Sequence, residues 1–478
     1  MSGQTQFVKN YLQKRKNYFE DVSEFIFRHP ETRFEEYESA AFLADQCEQE
    51  GFQVERGVGN IETAFVATYG TGKPVIGFLG EFDALSGLSQ EPNTASPQPW
   101  ETDTGHGCGH NLLGTGAFAA ACAAKAYLEE NNLPGTVKFF GCPGEEGGSG
   151  KTFMVREGVF EDVDLAYSWH PSPTNSIMSK SSLANYQVFF RFKGITSHAA
   201  ASPHLGRSAL DAVELMNVGV QYLREHIIDS ARVHYAITNT GGISPNVVQA
   251  QAEVLYLIRA PKVNQVEDIY KRVIKIAEGA ALMTETELEI DFIKACSNYV
   301  PNRAAERLLY ESLTEIGVDE PTEDEKAFAK AIYETLSESE QADAVNGMKA
   351  FGYIGDGSDL EDKYIMETIS TYVESDGILS GSTDVGDVSW VVPTAQLTTS
   401  TSAIGTPLHT WQMTSQGLSS NAHKAMLRSA GSMALAALKV FNDPEKMNPI
   451  REEFSAFAEK NPYKNPIPAE VKPAKLGQ

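Results

Sequence analysis

Three short apolar runs alternate with helical patterns in the first part of the chain: "KPVIGFLGEFDAL", "GTVKFFGCPGEEGG" and "DVDLAYSWHP". Each is rich in β-branched or aromatic residues and closes on Gly or Pro, the mark of a buried strand. The stretches "AAFLADQCEQEGF" before the first and "LLGTGAFAAACAAKAYLEENN" between the first two carry helical patterning. Alternation of this kind predicts an α/β fold with a mostly parallel central sheet flanked by helices. The strands also finish alike. The first runs into Glu81 and Asp83, the second into Glu145 and Glu146, the third into His170. Open α/β sheets bind ligands outside the carboxyl ends of their strands, so these groups are candidates for one site.

The middle of the chain follows another order. "NYQVFFRFKG", "RVHYAITNTGG", "QAQAEVLYLIRAP" and "TELEIDFIKAC" read as strands, and two helical stretches fall after the first and third. That β-α-β-β-α-β order is a ferredoxin-like split unit. The expected division is an inserted ferredoxin-like α+β lid or dimerisation domain over residues 185–296. Residues 1–184 and 297–478 then form one discontinuous catalytic domain. The acidic stretch from Arg303 to Ala344 reads as a solvated helical face, and "NPYKNPIPAEVKPAKLGQ" as an extended surface arm.

At 478 residues the chain is too long for one ordinary core. Its net charge of −25 argues against nucleic acid or an anionic membrane as partner. No apolar run approaches the length of a membrane span, and the opening residues are too polar for a secretory leader. The cysteines Cys47, Cys108, Cys122, Cys142 and Cys296 are scattered and odd in number, which fits a reducing, cytoplasmic setting.

In "ETDTGHGCGHNLLGTGAF", Cys108 and His110 stand one residue apart just ahead of a predicted helix. A helix N-terminus favours a thiolate. Transition metals take thiolate, imidazole and carboxylate ligands, and a two-metal hydrolytic site needs a group shared between the ions. Glu146, His170 and His409, the last in "AIGTPLHTW", supply the remaining donor types. Taken singly, each has a structural explanation: a buried small hydrophobe for the cysteine, a solvated ring for a histidine. A Glu pair at the end of an apolar strand is harder to read as surface charge.

The motifs "HGCGHN", "PGEEGG", "SWHP", "KGITSHAAASPHLGRSALDA" and "GTPLH" resemble the M20 metallopeptidase and amidohydrolase family over nearly the whole chain, in the branch that uses a bridging cysteine in place of aspartate. "GCPGEEGGSGKTFMVREGVF", "GGISPNVVQAQAEVLYLIRAP" and "STDVGDVSW" are similar to members that hydrolyse p-aminobenzoyl-glutamate, a folate breakdown product. The resemblance implies two divalent ions, Mn2+ ahead of Zn2+, bridged by Cys108. His110 and Glu146 would complete one shell, His170 and His409 the other. It makes Glu145 the general base, Asp83 an orienting carboxylate, and His198 a donor to the oxyanion in a partner's active site. Asn246 and Arg259 would bind the substrate carboxylate, although a strand-end salt bridge explains Arg259 equally well. Two positions depart from the pattern: Glu81, where many relatives have His or Asp, and Asn111, where the branch usually has Asp.

The implied reaction releases p-aminobenzoate and glutamate from a small-molecule acyl-glutamate. Hydrolysis of other N-acyl amino acids or dipeptides is the alternative in the same class. A chain that chiefly completes a partner's site is the alternative in another. Implied assemblies are a homodimer, a hetero-oligomer with a homologous second subunit, or both. His106 reads as structural, and His29, His204, His226, His234 and His423 receive no role.

Overall fold

The computed structural model describes residues 3–100 and 102–475. Its strands in chain order are β1 (Gln53–Arg56), β2 (Phe65–Thr71), β3 (Val75–Glu81), β4 (Leu85–Ser86), β5 (Thr104–Gly105), β6 (Gly135–Cys142), β7 (Leu165–Ser172), β8 (Ser176–Ile177), β9 (Ala184–Lys193), β10 (Arg232–Asn239), β11 (Gln251–Ala260), β12 (Glu287–Cys296) and β13 (Thr394–Ser400). Seven form one sheet in the order β1-β2-β6-β3-β7-β13-β8. The central β6, β3, β7 and β13 are parallel, and both margins turn antiparallel. Every residue of β3 is buried, as a strand covered on both faces requires. The three apolar runs of the sequence are thus adjacent central strands, and their carboxyl ends share one edge.

The helix His110–Asn131 is seated against that edge by small residues. A Cβ on Gly114 would come within 2.6 Å of the Glu81 carbonyl oxygen, and one on Gly116 within 2.8 Å of the Trp169 indole. The Trp169 Nε1–H donates to the Leu113 carbonyl at 2.9 Å. Glycine therefore lets this helix touch β3 and β7 directly, which delivers its first turn to the strand ends. Alanines on its other side, Ala117, Ala120, Ala121 and Ala124, are fully buried, and the helix Ser420–Asn442 packs against it through Ala430, Ala434 and Ala437.

The second sheet has the order β10-β11-β9-β12 and is antiparallel throughout. The helices Ala209–Leu223 and Val263–Thr284 fall after β9 and after β11, which is the ferredoxin-like order. Val188, Phe190, Val254, Tyr256 and Ile258 point from the sheet into one buried cluster with Val213, Met216 and Val273 of the two helices.

The acidic stretch after Arg303 is not simply a solvated face. Its first helix, Arg303–Ile316, buries Ala305, Leu308, Leu309 and Leu313 in the main core. The helices Glu323–Tyr333 and Glu338–Ala350 follow. The proline-rich segment after Asn461 is irregular, and the Pro468 and Val471 carbonyls accept hydrogen bonds from Arg156 Nη1. Among the described residues no helix is long and apolar enough to cross a membrane.

Candidate metal centre

Cys108 lies in the turn that enters the His110–Asn131 helix. Gly109 takes φ 75°, a left-handed conformation that suits glycine, and a Cβ there would press on the Pro171 ring at 2.9 Å. The tight turn brings the thiol and the His110 ring to the same side. The Cys108 Sγ sits 3.4 Å from His170 Nε2 at the end of β7. From the opposite flank comes His409, itself at φ 59°, an uncommon backbone state for a side chain other than glycine. Its N–H donates to the Gly107 carbonyl at 2.8 Å, which pins the late loop to the cysteine loop.

Two sets of donor atoms result, each with its members within 4.8 Å of one another: Cys108, His110 and His170, and Cys108, Glu146 and His409. Cys108 belongs to both. This grouping pairs His110 with His170 and Glu146 with His409, a different partition from the one the resemblance implied. The cause is positional. The His110 and His170 rings meet edge to face at 6.0 Å, whereas His409 Nε2 approaches Glu146 Oε1 at 3.1 Å.

Each imidazole is aimed from behind. Asp83 Oδ1 lies 2.9 Å from His110 Nδ1, and the Pro171 carbonyl lies 2.7 Å from His170 Nδ1. Both contacts place the ring proton on Nδ1 and leave Nε2 facing the cluster, the arrangement by which an outer acceptor orients a metal-binding histidine. His110 Nε2 is buried and has no hydrogen-bond partner. Asp83 also accepts the Glu146 N–H at 2.7 Å through its other oxygen. One carboxylate therefore holds a member of each donor set.

The residues fit a pair of divalent ions. A buried shared sulfur, three imidazoles, a carboxylate and an unpartnered ring nitrogen make a mixed donor set suited to such ions. Electrostatics agree. Burial pushes the Cys108 thiol up, and Glu146 adds to the effect. The helix start therefore does not by itself secure the thiolate expected from the sequence, whereas a cation between the donors supplies what is lacking. Burial raises Glu146 too, but the His409 hydrogen bond and the His110 charge outweigh it and hold the carboxyl at about 2.

Glu145 is placed differently. It falls within 4.8 Å of Glu81 and His110 but forms no hydrogen bond or ion pair among the described residues. Burial, then Glu81, Glu146 and Asp384, push its carboxyl upward. Beneath it lies a fully buried charge cluster that the sequence did not announce. Lys151 Nζ contacts Glu81 Oε1 at 2.7 Å and Asp384 Oδ1 at 2.6 Å. A signal was present, since "GGSGKTFM" sets a lysine just behind the glutamate pair, but charge alone carries no sign of burial. Glu81, the first departure, is thus neutralised by Lys151. Asn111, the second, is buried and donates to Ser23 Oγ and the Gly417 carbonyl, both at 3.0 Å. It ties the helix to its neighbours.

Three expected residues do not join the cluster. His198 and Asn246 are exposed on loops of the four-stranded unit, linked by the Ala199 N–H to the Asn246 carbonyl at 2.9 Å. Arg259 lies on β11 opposite Arg232 and, with His234, lines a separate cleft of about 420 Å3. His106 is buried with Nε2 3.0 Å from the Ile26 carbonyl, a structural position.

A parallel sheet carrying this donor set at its edge, with a ferredoxin-like unit inserted, defines a hydrolase that works through two metal ions. Residues 77–361 match the model of peptidase family M20/M25/M40, and the chain belongs to that family. It is 52% identical over 476 residues to one of the two subunits of p-aminobenzoyl-glutamate hydrolase from Escherichia coli (strain K12), with 98% of each chain covered. It is 30% identical over 450 residues to the Xaa-Arg dipeptidase of Mus musculus, with 91% and 88% covered. A crystal structure of the Bacillus subtilis YXEP protein, described as a dinuclear metal binding peptidase, shares the fold with a TM-score of 0.53 and 17% identity, over 90% of this chain and 99% of that one.

Proposed function

We propose that the chain hydrolyses p-aminobenzoyl-glutamate to p-aminobenzoate and glutamate. The observation that carries this reading is the sharing of Cys108 between two donor sets beside a glutamate with no partner of its own. The 52% identical relative named for that reaction supports the substrate. Cys108, His110 and His170 would hold one ion, and Cys108, Glu146 and His409 the other, Mn2+ ahead of Zn2+. Ions bound there make water acidic enough to ionise near neutral pH and polarise an amide carbonyl. Glu145 accepts the proton of the attacking water and passes it to the departing nitrogen. Asp83 keeps His110 and the Glu146 backbone in register throughout.

His198 acts across the interface between protomers in this reading. The N–H groups of Ala200 and Ala201 donate to its Nδ1 at 3.2 and 3.1 Å. The neutral ring therefore keeps its proton on Nε2, facing outward as a donor to an oxyanion. Arg259 and Asn246 would grip the glutamate carboxylates. Residues 185–296 would serve as lid and dimerisation unit, pairing with a second copy or with a homologous partner chain. In support, Leu215, Val218 and Tyr222 leave one apolar stripe of the Ala209–Leu223 helix exposed.

The test is to purify the chain, load it with Mn2+ or Zn2+, and measure p-aminobenzoate release with and without the homologous partner chain. Aliphatic acyl-amino acids and dipeptides are assayed alongside. Preference for the aromatic acyl-glutamate is expected. Equal rates on all three classes would favour the general acyl-amino-acid or dipeptide alternative, and absence of turnover without the partner chain would favour a completing role.

A further inference from the structure

The helix Glu338–Ala350 and the loop that leads into His409 enclose a cleft of about 510 Å3, within the range of small-molecule sites. We propose that this cleft is the subsite for an aromatic acyl group, an assignment that rests on the amide-hydrolase reading above and adds the substrate's second half to it. Its inner wall is apolar: Ala344, Met348, Phe351, Pro407 and Leu408. Its position is fixed by the donor residues. The Phe351 ring lies over His170, with centroids 6.1 Å apart and planes inclined by 25°. Leu408 directly precedes His409. An acyl carbonyl placed at the donor sets therefore points its substituent between the Phe351 face and Leu408.

The wall is built to stay in place. The Phe351 carbonyl accepts from the Thr174 hydroxyl at 3.2 Å, from Thr398 at 3.4 Å, and from Ser176. Lys180 Nζ donates to the neighbouring Lys349 carbonyl at 2.7 Å. Hydroxyls at the ends of the sheet thus hold the end of the helix rather than a free loop, and a rigid wall of this kind orders a flat ring at low entropic cost. The exposed aromatic face favours stacking. At the outer end Glu340 and Asp343 bring carboxylates to the rim. Such a rim accepts a hydrogen bond from an amino group on the ring and repels an acyl group that carries its own carboxylate. The substrate class is a benzoyl amide with a donor at the far side of the ring.

Gly347 lines the cleft, and a Cβ there meets nothing within 4 Å, so a large side chain can fill the space without a clash at its root. The experiment measures p-aminobenzoate binding to the metal-loaded chain by fluorescence titration, for wild type, Gly347→Trp and Phe351→Ala. Circular dichroism confirms folding of each. Wild type is expected to bind, and both substitutions to weaken binding by at least about tenfold. The ratio of kcat/KM for p-aminobenzoyl-glutamate over N-acetyl-glutamate should fall by a similar factor in Gly347→Trp. Failure of wild type to bind p-aminobenzoate, or wild-type affinity in Gly347→Trp, would overturn the assignment. Binding as expected in a chain that cleaves neither acyl-glutamate would leave the subsite standing and remove the proposed reaction instead.

Discussion

Glu145 and Glu146 are neighbours in sequence and opposites in circumstance. Gly144 and Gly147 at φ 67° and 78°, with Glu146 itself outside helical geometry at ψ 78°, turn the two carboxylates apart. One meets His409; the other faces the cluster with no partner. Glu145→Gln should therefore keep both metals, measured by elemental analysis, while kcat falls roughly 100- to 10,000-fold. Loss of metal instead would assign Glu145 to the donor set and free Glu146 as the base. The donor residues were legible because each ends a recognisable apolar run or stands in a Gly-bounded motif. Lys151 and Asp384 were not, since a buried ion pair is made of two residues that each look solvated in a linear text. The partition of donors between the two sets was equally beyond reach, because it depends on which ring meets which and not on residue type.

At the scale of elements, the His110–Asn131 helix is placed by its glycines more than by its apolar face, which is buried nearly all round. Gly114→Ala would force a methyl group against the Glu81 carbonyl. It should cost about 1–3 kcal/mol in stability, lower the melting temperature, and reduce metal content by shifting His110. A variant with unchanged melting would show that the helix does not bear on β3 as described. The strands and the ferredoxin-like order could be read from period and from turn residues, signals that burial on one or both faces writes directly. The acidic stretch was under-read for a physical reason. In the Arg303–Ile316 helix the buried residues recur on one face of a sequence whose average is polar, and charge count conceals such a stripe. A later helix of that stretch, Glu338–Ala350, buries only Ala344 and Met348, too little apolar spacing to announce a cleft wall.

For the molecule as a whole, the exposed apolar stripe on the Ala209–Leu223 helix and the outward His198 lie on the same four-stranded unit. Val218→Glu together with Tyr222→Glu, both exposed (53% and 75%), should turn a dimer into a monomer by light scattering. Turnover should fall at least about tenfold, with metal content unchanged. A wild-type chain that is monomeric at assay concentration would sink this arrangement. The wide dispersal of the donors has one more consequence. A ribosome that has translated through His170 has already made four of them, yet β13, His409 and the Ser420–Asn442 helix do not exist. Until they do, the outer edge of β7 lacks its neighbour and the alanine face of the His110–Asn131 helix stays in water. Closure of the core and arrival of the last donor are thus a single late event in the birth of the chain, and a truncated product loses packing and chemistry together.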